Sequence, residues 1–143
     1  MVLDTDVLVA AMRSDRGASR QLLLGALNGD FQMRVSVPLM FEYEAVLTRP
    51  EHLLAANLRV REMGDVLDAL AKTAVPVYFR FLWRPRLKDP ADEMVLETAV
   101  NGEADRLVTF NIRHFAEASR FFGIASVSPL DAWKEVRGVN DKK

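Results

Sequence analysis

Residues able to do chemistry appear at once. The stretch "VLDTDVLVAA" (2–11) sets two aspartates, Asp4 and Asp6, around Thr5 at the end of an apolar run. Glu42, Asp92 and Asn111 are further oxygen donors, each near the start of a later segment. Carboxylates brought together repel and raise one another's pKa values. A divalent cation removes that conflict. The chain has no cysteine and two histidines, His52 and His114. That excludes thiolate sites and speaks against a His-rich zinc site. Oxygen ligands of this kind suit Mg²⁺ or Mn²⁺. Such an ion activates a water and neutralises phosphate charge during displacement, with no need for a histidine base or a covalent nucleophile.

Each residue also has a purely structural reading. Asp4 fits a turn at a strand end. Asp6 fits the cap of a helix starting at Val7. Glu42 fits a solvated helix position. Asp89-Pro90-Ala91-Asp92 reads as a cap, a first-turn proline and an acid favoured by the helix dipole. Asn111 fits an N-cap. The set is more informative than its members, because separate coincidences at one edge of a fold are a poorer explanation than one site.

What must position these groups is an alternation of short strands and helices. Val2–Leu3 ends a strand and 7–12 opens a helix. Residues 19–30 place Leu22, Leu23, Ala26 and Leu27 on one helical face, and Asn28-Gly29 stops it. A strand over 33–37 leads to a helix over 38–49, which starts at Pro38 and carries Leu39, Tyr43, Val46 and Leu47 at helical spacing. The helix over 59–74 has Val60, Met63, Leu67, Leu70, Ala71 and Ala74 as its stripe. Strand 75–79, an irregular stretch over 80–92, helix 92–103, strand 106–110, helix 112–123, strand 124–128 and helix 128–138 follow. Residues 139–143 read as a frayed tail after a single domain over 1–138. The order β-α-α-β-α-α-β-α-β-α-β-α has no hairpins. It implies right-handed crossovers and a three-layer α/β/α sandwich around a parallel sheet of about five strands. In such sheets ligands bind beyond the carboxyl ends of the strands, and that edge is where Asp4, Asp6, Glu42, Asp92 and Asn111 are expected to meet.

The 143 residues suffice for one domain with a real core, half of them hydrophobic and 27% charged. A net charge of −1 argues against bulk electrostatic binding of DNA but leaves room for a local basic patch. No apolar run nears the roughly 18 residues of a membrane span. The acidic start lacks the basic region of a signal peptide, so a cytoplasmic protein is expected.

Three stretches resemble the motifs of the PIN domain family. "VLDTDVLVAA" looks like the family's opening motif. "PLMFEYEAVLTRP" resembles its second, with a glutamate early in a helix. "DPADEMVLETAVNGEADRLVTFNIRHF" resembles its third and fourth, so that the likeness runs from residue 2 to about 115 in matching order. The nearest subgroup is the bacterial toxin type of toxin–antitoxin pairs, similar to VapC. The resemblance implies an Mg²⁺- or Mn²⁺-dependent endoribonuclease with Asp4, Glu42 and Asp92 as metal carboxylates. Asn111 falls at the fourth position, where the family usually has aspartate. Asp6 falls where asparagine is commoner, and supplies a charge that Asn111 lacks. Thr5 and Thr109 would orient carboxylates or waters, and Glu93 is either an outer acid or a solvated first-turn residue. RNA is the implied substrate; a small antitoxin protein and a second copy of the chain are the implied partners. Arg84, Arg86, Lys88 and Arg113 are candidates to grip phosphates, or are solvated charges. Trp83 is a candidate for base stacking or partner contact, with core packing as the alternative, and His114 with Phe115 reads as local packing.

Two rivals stand beside this reading. Strand-Asp-x-Asp also opens phosphatases of the haloacid dehalogenase type, with Asp4 as nucleophile and Asp6 as acid–base group. After "VTF", however, the chain reads "NIRHF", without the further acids that this chemistry needs. The other rival is a PIN module that has lost catalysis with its fourth acid and only binds RNA or a protein.

Overall fold

The computed structural model describes residues 1–80, 87 and 89–141. Strand β1 (Val2–Leu3) leads into helices α1 (Thr5–Arg13) and α2 (Ala18–Asn28). Strand β2 (Arg34–Ser36) is followed by α3 (Val37–Leu47), α4 (Pro50–Ala56) and α5 (Val60–Thr73). Then come β3 (Val75–Val77), α6 (Pro90–Asn101), β4 (Arg106–Val108), α7 (Ile112–Phe122), β5 (Ala125–Val127) and α8 (Pro129–Asp141).

All strand pairs are parallel. β1, β4 and β5 form one ladder with Leu3 opposite Val108 and Val108 opposite Val127; β2 and β3 form another with Val35 opposite Pro76. Residue Met1 joins the two. Its nitrogen donates to the Gln32 carbonyl and its carbonyl accepts from Arg34 N–H, both at 2.8 Å. The resulting order is β3-β2-β1-β4-β5. The chain leaves β1 toward β2 but leaves β4 toward β5, so the order reverses between β1 and β4. Their carboxyl ends flank the crevice at which open parallel sheets bind ligands.

Helices cover both faces, as the lack of hairpins requires. Helix α2 packs against α1, α5 and α8, α6 packs against α7, and α3 touches α1, α5 and α6. The central strand is buried on both faces, with Val2 and Leu3 fully inaccessible. That is why it reads as a purely apolar run rather than an alternating one. Leu22, Leu23 and Ala26 of α2, and Leu39, Tyr43, Val46 and Leu47 of α3, face the core as their spacing predicts. On α5, Met63, Leu67 and Leu70 do so, whereas Val60 and Ala71 lie outside the stripe and are exposed.

Several boundaries differ from the sequence reading. The helix after β1 starts at Thr5 and is capped by Asp4, whose Oδ1 accepts from Thr5 N–H. Asp6 is therefore a first-turn residue and not the cap. Helix α4 has no counterpart in the sequence reading, although Pro50 at its start, Glu51 in its first turn and left-handed Asn57 at its end are ordinary helix signals. α8 continues past Gly138 to Asp141, where a frayed tail over 139–143 is expected. One glycine costs a helix only about 1 kcal/mol relative to alanine, too little to force a stop. Gly102 is needed for close approach, because a Cβ there would lie 2.7 Å from Val77 Cγ2 and 2.9 Å from the Thr98 carbonyl.

Two polar contacts fix the rim. The Ser36 hydroxyl, which caps α3 at Leu39 N–H, lies 2.7 Å from Thr98 Oγ1 on α6. The buried Tyr43 hydroxyl donates to the Leu3 carbonyl, tying α3 to the end of β1. Replacing Tyr43 by Phe leaves that carbonyl buried without its donor and is expected to destabilise the protein by about 1–3 kcal/mol in urea unfolding.

Candidate active site

At the crevice the chain brings together groups more than a hundred residues apart. Asp4 follows β1 directly and is only 6% exposed. Its Oδ1 is held by Thr5 N–H at 2.8 Å and its Oδ2 by the Thr109 hydroxyl at 2.7 Å. Thr109 follows β4, and its Oγ1 in turn accepts from Asn111 N–H at 2.9 Å. Asp6, one turn face further on α1, accepts through Oδ2 from Phe110 N–H at 3.3 Å and from the Asn111 side-chain amide at 3.1 Å. A carboxylate only accepts, so it is the amide nitrogen of Asn111 that faces Asp6.

Asp92 arrives from the first turn of α6. Its Oδ2 lies 3.2 Å from Nδ1 of His114, in the first turn of α7. This links the N-termini of two helices, and the sequence offers no local sign of it. His114 is thus half of a cross-helix pair instead of local packing; its neighbour Phe115 is the fully buried one. Glu93 is not a solvated first-turn residue: it is buried, and its Oε2 accepts from Leu87 N–H at 2.8 Å.

Glu42 is half-buried on α3, one residue before the Tyr43 that reaches Leu3. Among the described residues no hydrogen bond or ion pair engages its carboxylate. Hydrogen bonds link Asp4, Thr109, Asn111 and Asp6 in one chain, and the charge of Asp92 acts on Asp4. Arg113 is exposed and lines a cleft of about 670 Å³ with Asp92, His114, Asp89, Glu117 and Phe121. Arg84, Arg86, Lys88 and Trp83 lie outside the described residues.

The electrostatics follow from burial and crowding. Burial pushes the Asp4 carboxyl up and the charge of Asp92 adds to this, against the Thr109 hydroxyl, which favours ionisation. Burial, then the facing Asp4, pushes Asp6 up to about 7. Asp92 is raised by burial and by Asp89, with His114 opposing. Burial and the nearby Asp4 raise the Tyr43 phenol well above its usual value.

Do these groups suit a divalent cation? Among the described residues, no three acidic or histidine side chains stand close enough to enclose an ion as placed. The donor chemistry nevertheless fits. The acids are hard oxygen ligands whose charges oppose one another, and two buried oxygens, Asp6 Oδ1 and Thr5 Oγ1, have no hydrogen-bond partner among the described residues. A small hard cation satisfies both conditions.

The family model of the PIN domain matches residues 1–113, a span that includes every residue of this cluster except His114. The chain belongs to the PIN domain family, a fold whose members are typically metal-dependent nucleases. A search of curated proteins finds no match. Among the described residues no helix is long and apolar enough to cross a membrane.

The raised acids make stability depend on pH. Between the ordinary Asp value of 3.8 and the folded value of about 7, the unfolded chain has released a proton that folded Asp6 retains. The contribution of Asp6 therefore favours folding at low pH and is lost as pH rises through that window. In thermal melts with EDTA, Asp6→Asn is expected to gain stability relative to wild type as pH rises from about 4 to about 7. Parallel pH profiles for the two proteins would contradict this.

Proposed function

We propose that the protein is an Mg²⁺- or Mn²⁺-dependent endoribonuclease and the toxin component of a type II toxin–antitoxin pair. The observation that carries this reading is the convergence of Asp4, Asp6 and Asp92 at the β1/β4 crevice, where, among the described residues, the exposed His114 is the one basic side chain paired with them. Asp4 and Asp92 would hold the ion, with Glu42 approaching from α3. Bound there, a divalent ion supplies an activated water and neutralises charge on the scissile phosphate. Thr109 holds Asp4 in place, and Arg113 at the mouth of the adjoining cleft is suited to a flanking phosphate. RNA is the substrate in this reading, a small antitoxin protein is the regulator, and the working form is a cytoplasmic homodimer.

Phosphatase chemistry of the haloacid dehalogenase type is not favoured. Both Asp4 oxygens already accept hydrogen bonds and the residue is almost inaccessible, which suits a fixed ligand better than an attacking nucleophile. A second reading, a module that binds RNA or a protein without cutting, is favoured by the neutral Asn111.

Purified protein incubated with total RNA and Mn²⁺ separates the two. Cleavage at mappable ends is expected, with loss in EDTA. Charge stabilisation by the ion amounts to several kcal/mol, so Asp4→Asn or Asp92→Asn is expected to slow cleavage by about 100-fold or more with folding intact. Cleavage that survives both substitutions, or survives EDTA, would overturn the nuclease reading.

A further inference from the structure

We propose that Asp6 completes the ligand set in place of Asn111, with its Oδ1 a direct ligand of the divalent ion and the Asn111 amide the group that positions it. This rests on the metal-dependent reading above and assigns to Asp6 a role beyond support.

Neither residue caps a helix through its side chain. Asp6 is not the helix cap, since Asp4 caps α1. Asn111 precedes α7 at the N-cap position, yet its side chain makes no capping hydrogen bond. Its amide nitrogen instead donates across the crevice to Asp6 Oδ2, from 105 residues away. Phe110 N–H donates to the same oxygen. Two donors on one oxygen orient the carboxylate and so define where Oδ1 sits.

That Oδ1 is buried and accepts from no N–H or O–H group among the described residues; its neighbour is the Asp4 carboxyl, another acceptor, to which Asp6 donates only while it carries a proton. Two buried carboxylates facing each other with no donor or cation between them are strongly unfavourable. Side chains arranged to engage one oxygen twice and leave its twin unpaired make sense if the twin has a partner of another kind. A hard cation is that partner. The charge of a fourth acid is then present in the site, carried on α1 rather than after β4, with the hydrogen bond between the two positions kept.

The test is calorimetric titration of Mn²⁺ into wild type, Asp6→Asn, Asp89→Asn and the double exchange Asp6→Asn with Asn111→Asp, with thermal melts in EDTA to confirm folding. Asp6→Asn is expected to weaken Mn²⁺ binding by at least about tenfold. Asp89→Asn removes an exposed charge near Asp92, keeps a residue able to cap α6, and is expected to cost less than about fivefold. The double exchange restores one acid and one amide across the same hydrogen bond and is expected to return most of the lost affinity. Equal Mn²⁺ binding by wild type and Asp6→Asn overturns the inference while leaving the nuclease reading standing. A double variant no better than the single overturns the role of Asn111. A wild-type protein that takes up no Mn²⁺ overturns both the inference and the metal-dependent reading.

Discussion

The hydrogen bond from the Thr109 hydroxyl to Asp4 Oδ2 joins the carboxyl ends of two parallel strands at the point where the sheet reverses its order. It does more than connect β1 to β4. With Thr5 N–H on the other oxygen, it fixes Asp4 at the N-terminus of α1, where the helix dipole favours an anion. Thr109 also accepts from Asn111 N–H, so the same hydroxyl sets the course of the chain that brings Asn111 to Asp6. Every other feature of the crevice is arranged around this anchored carboxylate.

The arrangement concentrates costs. Two aspartates are held side by side in a partly buried crevice, a third comes in from α6, and all three are raised. A fold selected only for stability would not keep them. It tolerates them because the strands beneath are covered on both faces and the rim is tied down by Tyr43 and by the Ser36–Thr98 contact. Fully burying one Leu or Val contributes about 1.5–3 kcal/mol, so a core of this size readily carries a destabilised site. Such a balance is the usual mark of residues kept for function.

Much of this was legible along the chain. The apolar spacing of Leu39, Tyr43, Val46 and Leu47 identifies the buried face of α3, and the run Val2–Leu3 announces a strand covered on both sides. Pattern reading also locates Asp4, Asp92 and Asn111 at element ends. It failed where partners are distant. Nothing near Asp92 indicates His114, and nothing near Glu93 shows that it turns back to the backbone of Leu87. Asp6 reads as a helix cap until the position of Asp4 shows that the cap is already supplied. Helix α4 leaves little trace in the apolar pattern although Pro50 and Asn57 mark its ends, because seven residues are too few to form a periodic stripe.

The sequence alone determined the class of fold, the parallel sheet with its helices, and a supply of acidic side chains near element ends, since these follow from periodicity, connection type and residue type. The tertiary structure decided which acids share a field, which buried oxygens are left without a hydrogen-bond donor among the described residues, and that Asp6 and Asn111 are bonded to each other. Local pattern encodes which face of an element is buried. It does not encode the angle at which two elements meet, and hydrogen bonds between residues a hundred positions apart depend on that angle to within a fraction of an ångström.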